Sequence, residues 1–183
     1  MDNPILKCSS ASVWSCPWFS VWKDKFSLPN GKKAEYWYTK KSDSVFIVPV
    51  TPEKEIVLIR TYRYPMKEWF WEVPAGYQKK GKSPEESAHE ELLEEIGGVS
   101  DSWQSIGQFC PNGGFIRSST HIFLATNVVL GKPAHEPEEQ IEVHPTPIER
   151  VMEMVRNGEI TSSQSALALF LCEEHLKKLM MVE

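Results

Sequence analysis

The chain has 183 residues, 41% of them hydrophobic, and a formal net charge of -5 with a pI near 5.6, which suits one globular unit with an N-terminal appendage and argues against tracking along nucleic-acid backbones. No apolar run approaches the roughly 18 residues of a membrane span. The start "MDNPILKCSS" lacks the cationic stretch and long apolar segment of a signal peptide, so the expectation is a cytoplasmic protein without a membrane partner. Cys8, Cys16, Cys110 and Cys172 form no C-x-x-C pair and sit among apolar or aromatic neighbours. They read as buried free thiols rather than disulfides or zinc ligands.

The first forty residues alternate aromatic and polar positions, and Asn30-Gly31 between two such runs is a hairpin signal. This predicts a small antiparallel sheet. The runs "SVFIVPV" and "EIVLIRTYRYP" predict strands separated by the turn-like "TPEKE", and "WFWEVPAG" predicts a short strand stopping at Pro74 and Gly76. Ser83 as N-cap, Pro84 at N1 and Glu86 at N3 form a capping box that opens a helix, which Gly97-Gly98 should end. Strands follow at "WQSIGQF" and "THIFLATNVVL", then an acidic loop "GKPAHEPEEQ" and a strand "IEVHPT". Two helices close the chain, "PIERVMEMVRNG" and "SSQSALALFLCEEHLKKL", the second with Leu167, Phe170, Leu171 and Leu179 near helical spacing.

The first predicted helix contains "AHEELLEEIGG", with Glu90, Glu91, Glu94 and Glu95 in six positions. Like charges four apart on a helix repel by roughly 0.2–0.5 kcal/mol per pair. Positions i, i+3 and i+4 share a face, so Glu91, Glu94 and Glu95 should project together while Leu92, Leu93 and Ile96 supply apolar packing. Such a cluster is either a solvated acidic face or an oxygen site for a hard divalent cation. The preceding "VPAG" favours the second reading, because a strand that ends there frees backbone carbonyls beside the helix.

The stretch from Gly76 to Gly98 resembles the Nudix box, G-x5-E-x7-R-E-U-x-E-E-x-G-U, where U is aliphatic. Gly76, Glu91, Leu92, Glu94, Glu95 and Gly97 fall on its fixed positions. With "VFIVPV", "VLIRTYRYP", "WEVPAG" and the aromatic N-terminal region, the chain is similar to the branch of that family that cleaves ADP-ribose and nucleoside diphosphate sugars. Three positions depart from the pattern: Lys82 stands for the early glutamate, Glu90 for the arginine and Gly98 for the last aliphatic residue. The first two are opposite in sign, which suggests a loop-to-helix ion pair with its polarity inverted.

The resemblance implies an α/β Nudix fold, an α/β/α sandwich with a mixed sheet over residues 43–183, preceded by an antiparallel β region over 1–42 that serves dimerisation and base stacking. It implies Mg²⁺, with Mn²⁺ as a substitute, held by Glu91, Glu95, Glu94 and the carbonyl of Ala75. The reaction implied is hydrolysis of the pyrophosphate of ADP-ribose or a nucleoside diphosphate sugar. The glutamates' repulsion would then be offset by the cation. The general base is expected from the acidic loop, Glu139 first and then Glu138 and Glu136; a merely solvated loop is the other reading. Magnesium's preference for oxygen leaves His135 and His144 as surface residues.

Arg63 resembles the arginine beside the family's diphosphate region, and Arg117 follows a glycine pair able to approach a phosphate or sugar. Trp18 and Trp37, with Trp14 and Trp22, are either core residues or the edge on which a nucleobase stacks. Relatives pack this sheet across a homodimer. A dinucleoside polyphosphate substrate and a non-catalytic nucleotide-binding regulator remain as alternatives, since one scaffold hosts many activities.

Overall fold

The computed structural model describes residues 5–135 and 140–181. In chain order the first elements are β1 (Leu6–Ser15), β2 (Phe19–Ser27), β3 (Lys33–Lys41), β4 (Ser44–Pro49), β5 (Glu55–Arg63), β6 (Glu68–Glu72) and β7 (Ala75–Tyr77). Then come α1 (Pro84–Ile96), β8 (Gly98–Val99), β9 (Ser102–Phe109), β10 (Ile116–Arg117), β11 (Thr120–Thr126) and β12 (Val129–Leu130). The last three are β13 (Ile141–Pro147), α2 (Ile148–Arg156) and α3 (Ser163–Met181).

The chain divides into two units, 1–43 with 109–119, and 44–108 with 120–183. In the first, β1, β2 and β3 form the expected antiparallel meander. Its β2–β3 turn closes where Gly31, at φ +80, donates to the carbonyl of Leu28 at 2.9 Å. The stretch 109–119, expected in the second region, joins this unit because Ile116 and Arg117 pair parallel with Thr39 and Lys40. Trp14, Trp18 and Trp37 are at least half exposed on this meander and form no core.

In the second unit the strand orders are β7-β4-β11-β9 and β13-β5-β6, with β8 paired to β12. β4 and β11 run parallel, whereas β4 and β7 run antiparallel, giving the mixed sheet. Val45 and Ile47 of β4, Val57 and Ile59 of β5 and Phe123 and Ala125 of β11 bury one cluster with Ala88, Leu92 and Ile96 of α1. The alternate residues of β4 face the opposite way, towards the layer that α3 covers.

The α1 boundaries are those its caps dictate. Ser83 Oγ accepts from the Glu86 amide at 3.1 Å while Glu86 accepts from the Ser83 amide at 2.7 Å. Gly97, at φ +65, ends the helix in the left-handed conformation.

Several expectations are corrected. The predicted strand through "WFWEVPAG" is interrupted after Glu72 and resumes as β7 with Gly76 inside it, and the run "THIFLATNVVL" breaks at Asn127, which takes φ +55. On α3 the buried stripe is Ser165, Ala168, Leu169, Cys172 and Leu176, whereas Phe170 is 63% exposed. Small side chains let this helix approach the strands, and Ser165 Oγ accepts from the Val73 amide at 3.2 Å. All four cysteines are free, as expected, but only Cys172 is buried, and burial pushes its thiol up to about 12. Among the described residues no helix is long and apolar enough to cross a membrane.

Candidate active site

A cleft of about 760 Å³ opens in the second unit, its walls supplied by the end of β5, by β7, by one face of α1 and by the start of β13. Four expected metal positions, Ala75, Glu91, Glu94 and Glu95, line it together with Arg63. Ala134 and Gln140, the former two residues before the undescribed stretch and the latter directly after it, line it as well. Glu136, Glu138 and Glu139 lie outside the described residues.

Each glutamate has a distinct environment. Glu95 is 7% exposed and accepts from the Ala75 amide at 2.8 Å, which ties α1 to β7. Glu91 lies against Gly76 so closely that a Cβ there would stand 2.1 Å from its Cδ. The first glycine of the box is therefore required by close approach, since its φ is not positive. Glu94 is bound through both oxygens by the Lys79 ammonium, at 2.6 and 2.7 Å.

The same ammonium stands 3.4 Å from Glu90 and 3.9 Å from Glu91. Burial works against the Lys79 charge, but the hydrogen bond to Glu94 and the charges of Glu91 and Glu94 outweigh it and raise its pKa. Lys79 was missed by the sequence reading. Its signal was available in "KKGK", a run of cations entering an acidic helix.

The expected pair is present: Lys82 Nζ binds Glu90 Oε1, and this bond leads the effects that hold the Glu90 carboxyl below the usual range. Cation and anion thus stand in exchanged places relative to the box, and in this chain they are in contact.

These bonds alter the expected convergence of Glu91, Glu94 and Glu95. Among the described residues no three carboxylate, imidazole or thiol groups are grouped closely enough to hold a metal ion. Lys79 draws Glu94 to itself and the Ala75 amide holds Glu95, so a protein cation and a backbone dipole offset the repulsion that the metal was expected to offset. The donors still suit a hard divalent ion. They are carboxylate oxygens, and Gly76 leaves a cradle for Glu91 that a side chain would fill.

Arg63 is oriented by Glu72, whose Oε2 accepts from Nε at 3.0 Å and from one Nη at 2.5 Å. A guanidinium has more donors than one oxygen takes, so Arg63 retains capacity for a phosphate. The undescribed acidic stretch is flanked by bonded residues: Ala134 donates to the Glu94 carbonyl at 2.9 Å, and His135 Nε2 lies 2.6 Å from the Glu95 carbonyl. On the far side the Gln140 carbonyl accepts from the Tyr62 amide at 3.4 Å. His135, expected as a surface residue, is half-buried at the end of α1.

The other expected substrate residues belong to the first unit. Trp18 is 70% exposed, and Trp37 is exposed with Lys23 Nζ 5.1 Å from its ring centre. Arg117 lines an open pocket of about 640 Å³ with Tyr36, Asp43 and Phe115.

Residues 40–164 match the NUDIX domain, and the chain belongs to that family. It is 29% identical over 159 residues to the ADP-ribose pyrophosphatase of Bacillus subtilis, covering 86% of each chain. It is 28% identical over 158 residues to the ADP-ribose pyrophosphatase of Mycobacterium tuberculosis, covering 85% of this chain and 76% of that one. The fold superposes with a TM-score of 0.86 on the crystal structure of an ADP compounds hydrolase, at 21% identity and 98% coverage of both chains.

Proposed function

We propose that this Nudix hydrolase cleaves the pyrophosphate bond of ADP-ribose or a nucleoside diphosphate sugar, releasing a nucleoside monophosphate and a sugar phosphate, with Mg²⁺ or Mn²⁺ as cofactor. The observation that carries the reading is the single cleft in which Glu91, Glu94, Glu95 and Ala75 meet Arg63. The names of the pyrophosphatase relatives support the substrate class.

When bound, a divalent cation would supply charge neutralisation at the pyrophosphate oxygens and activation of a water, which is the chemistry an anionic substrate needs. The chain's own residues do the rest. Glu91, Glu95 and Glu94, with the Ala75 carbonyl, would hold the cation. Gly76 leaves room for Glu91, and the Ala75 amide orients Glu95. Arg63, braced by Glu72, binds the diphosphate. Glu139, or else Glu138 or Glu136, takes the proton of the attacking water as the bridging P–O bond breaks. Ala134 and Gln140, on either side of them in the chain, line the cleft, which supports this assignment.

In the N-terminal region Trp18 and Trp37 stack the base and Arg117 contacts sugar or phosphate. The exposed aromatic meander is the interface of a cytoplasmic homodimer. A panel of ADP-ribose, ADP-glucose, GDP-mannose and UDP-glucose, assayed with Mg²⁺ for released monophosphate, tests the reading. Release from at least one is expected; release from none, with ligand still bound, would make the protein a nucleotide-binding regulator.

A further inference from the structure

We propose that Lys79 is a built-in counter-cation of the glutamate cluster, and that a divalent cation enters the cleft by exchange with its ammonium. The proposal rests on the metal-site reading above and concerns a position that the box pattern leaves unspecified. Lys79 Nζ lies 3.9 Å from Glu91 and 2.6 Å from Glu94.

The geometry is that of an anchored arm. The Lys79 amide donates to Ser87 Oγ at 3.1 Å, and Ser87, fully buried on α1, donates in turn to the Ser83 carbonyl at 2.9 Å. The Lys79 carbonyl accepts from the Lys82 amide at 3.1 Å, closing a turn in which Gly81 takes φ +82. The backbone of Lys79 is therefore fixed to the first turn of α1, while its flexible stem reaches the glutamates further along the helix.

Lys79 and Lys82 both reach Glu90, which is no expected ligand, but Lys79 also binds both oxygens of Glu94 and approaches Glu91. Each Glu94 oxygen gives a lone pair to the ammonium, which makes it a poorer donor to a metal. An ammonium left among the glutamates would also repel a doubly charged ion a few ångströms away. Metal entry is favoured when the lysine swings out, which its partly exposed side chain and unbranched stem allow. The exchange moves no covalent bond. The ammonium transfers from carboxylate to water or to a substrate phosphate as the metal takes the oxygens.

The test measures Mn²⁺ binding to the intact protein without substrate, by titration calorimetry and by the paramagnetic resonance signal of free Mn²⁺. Thermal stability in EDTA is followed alongside. In Lys79→Met, Mn²⁺ should bind about fivefold to tenfold more tightly, as expected when a competing unit charge leaves a partly solvated site. The EDTA form should melt at a lower temperature than wild type. Lys79→Arg keeps the charge and should bind Mn²⁺ as wild type does. Lys82→Met removes an equal charge paired with Glu90 and should change the affinity by less than about twofold. Lys79→Gln serves in place of Met if the latter misfolds. Unchanged or weaker Mn²⁺ binding in the neutral variants overturns the exchange, as does equal tightening in Lys82→Met. If wild type and every variant fail to bind Mn²⁺ at all, the metal-site reading falls with it. Normal wild-type binding with no Lys79 effect removes the exchange alone.

Discussion

Gly76→Ala separates the metal cradle from the fold. The new Cβ would stand 2.1 Å from Glu91 Cδ and 2.3 and 2.4 Å from its two oxygens. Non-bonded carbons settle near 3.5–4.0 Å, so the carboxylate must retreat by more than about 1 Å. The backbone of β7 resists moving instead, because Gly76 pairs with Val45 and the Pro74 carbonyl accepts from Ile47 at 2.9 Å. The displaced atoms are the end of a flexible side chain, and an off-rotamer Glu91 costs about 0.5–1.5 kcal/mol. Replacing glycine by alanine returns about 0.4–1 kcal/mol by restricting the unfolded chain. The two nearly cancel, so the melting temperature in EDTA should stay within about 3 °C of wild type. Function should not survive as well. A metal ligand misplaced by about 1 Å costs on the order of 10²-fold in kcat. Steady-state hydrolysis of ADP-ribose with saturating Mg²⁺, beside scanning fluorimetry, reads both quantities. A stable variant with kcat within about threefold of wild type would refute the placement of Glu91 at the metal.

Lys82→Glu and Glu90→Arg should each lower the melting temperature, by placing like charges in contact, and the double variant should recover most of the loss by restoring the pair with opposite polarity. Additive losses would mean that the two charges act independently. Because its folded pKa lies below the usual value, Glu90 contributes stability above its unfolded pKa and loses it as the pH falls through the lowered one, so the contribution of the wild-type pair should fade in acid. The exposed aromatic meander predicts a dimer, which light scattering at micromolar concentration should report as twice the 21.0 kDa chain mass. A monomer mass would leave those tryptophans without the proposed partner.

What the sequence made legible is local or set by fixed spacing. The ends of α1 follow from Ser83, Pro84, Glu86 and Gly97, whose effects act within one helical turn. The Lys82–Glu90 contact followed from two box positions of reversed sign, and the structure contains it. The buried face of α3 was misread because pattern reasoning follows large apolar residues, whereas the close approach there selected Ser165, Ala168 and Cys172. The addition of Ile116–Arg117 to β3 was invisible, since a two-residue parallel pairing leaves no periodicity. Lys79 was missed for a related reason. Its reach to Glu94 crosses 15 positions and depends on the turn at Gly81 and the Ser87 tether, which no spacing rule encodes.

That omission changes the physics assigned to the four glutamates. An acidic helix face answered only by a metal would be strained whenever the metal is absent, and its stability would follow the metal concentration closely. With Lys79 and Lys82 each bound to the face and Glu95 held by the Ala75 amide, the cluster is neutralised in part by the chain itself. Metal binding then releases less repulsion than the carboxylates alone suggest, because part of it has already been offset. The stabilisation gained from Mg²⁺ should be smaller in wild type than in a chain lacking the Lys79 charge. The reversal of sign at the box positions therefore bears on how α1 is stabilised.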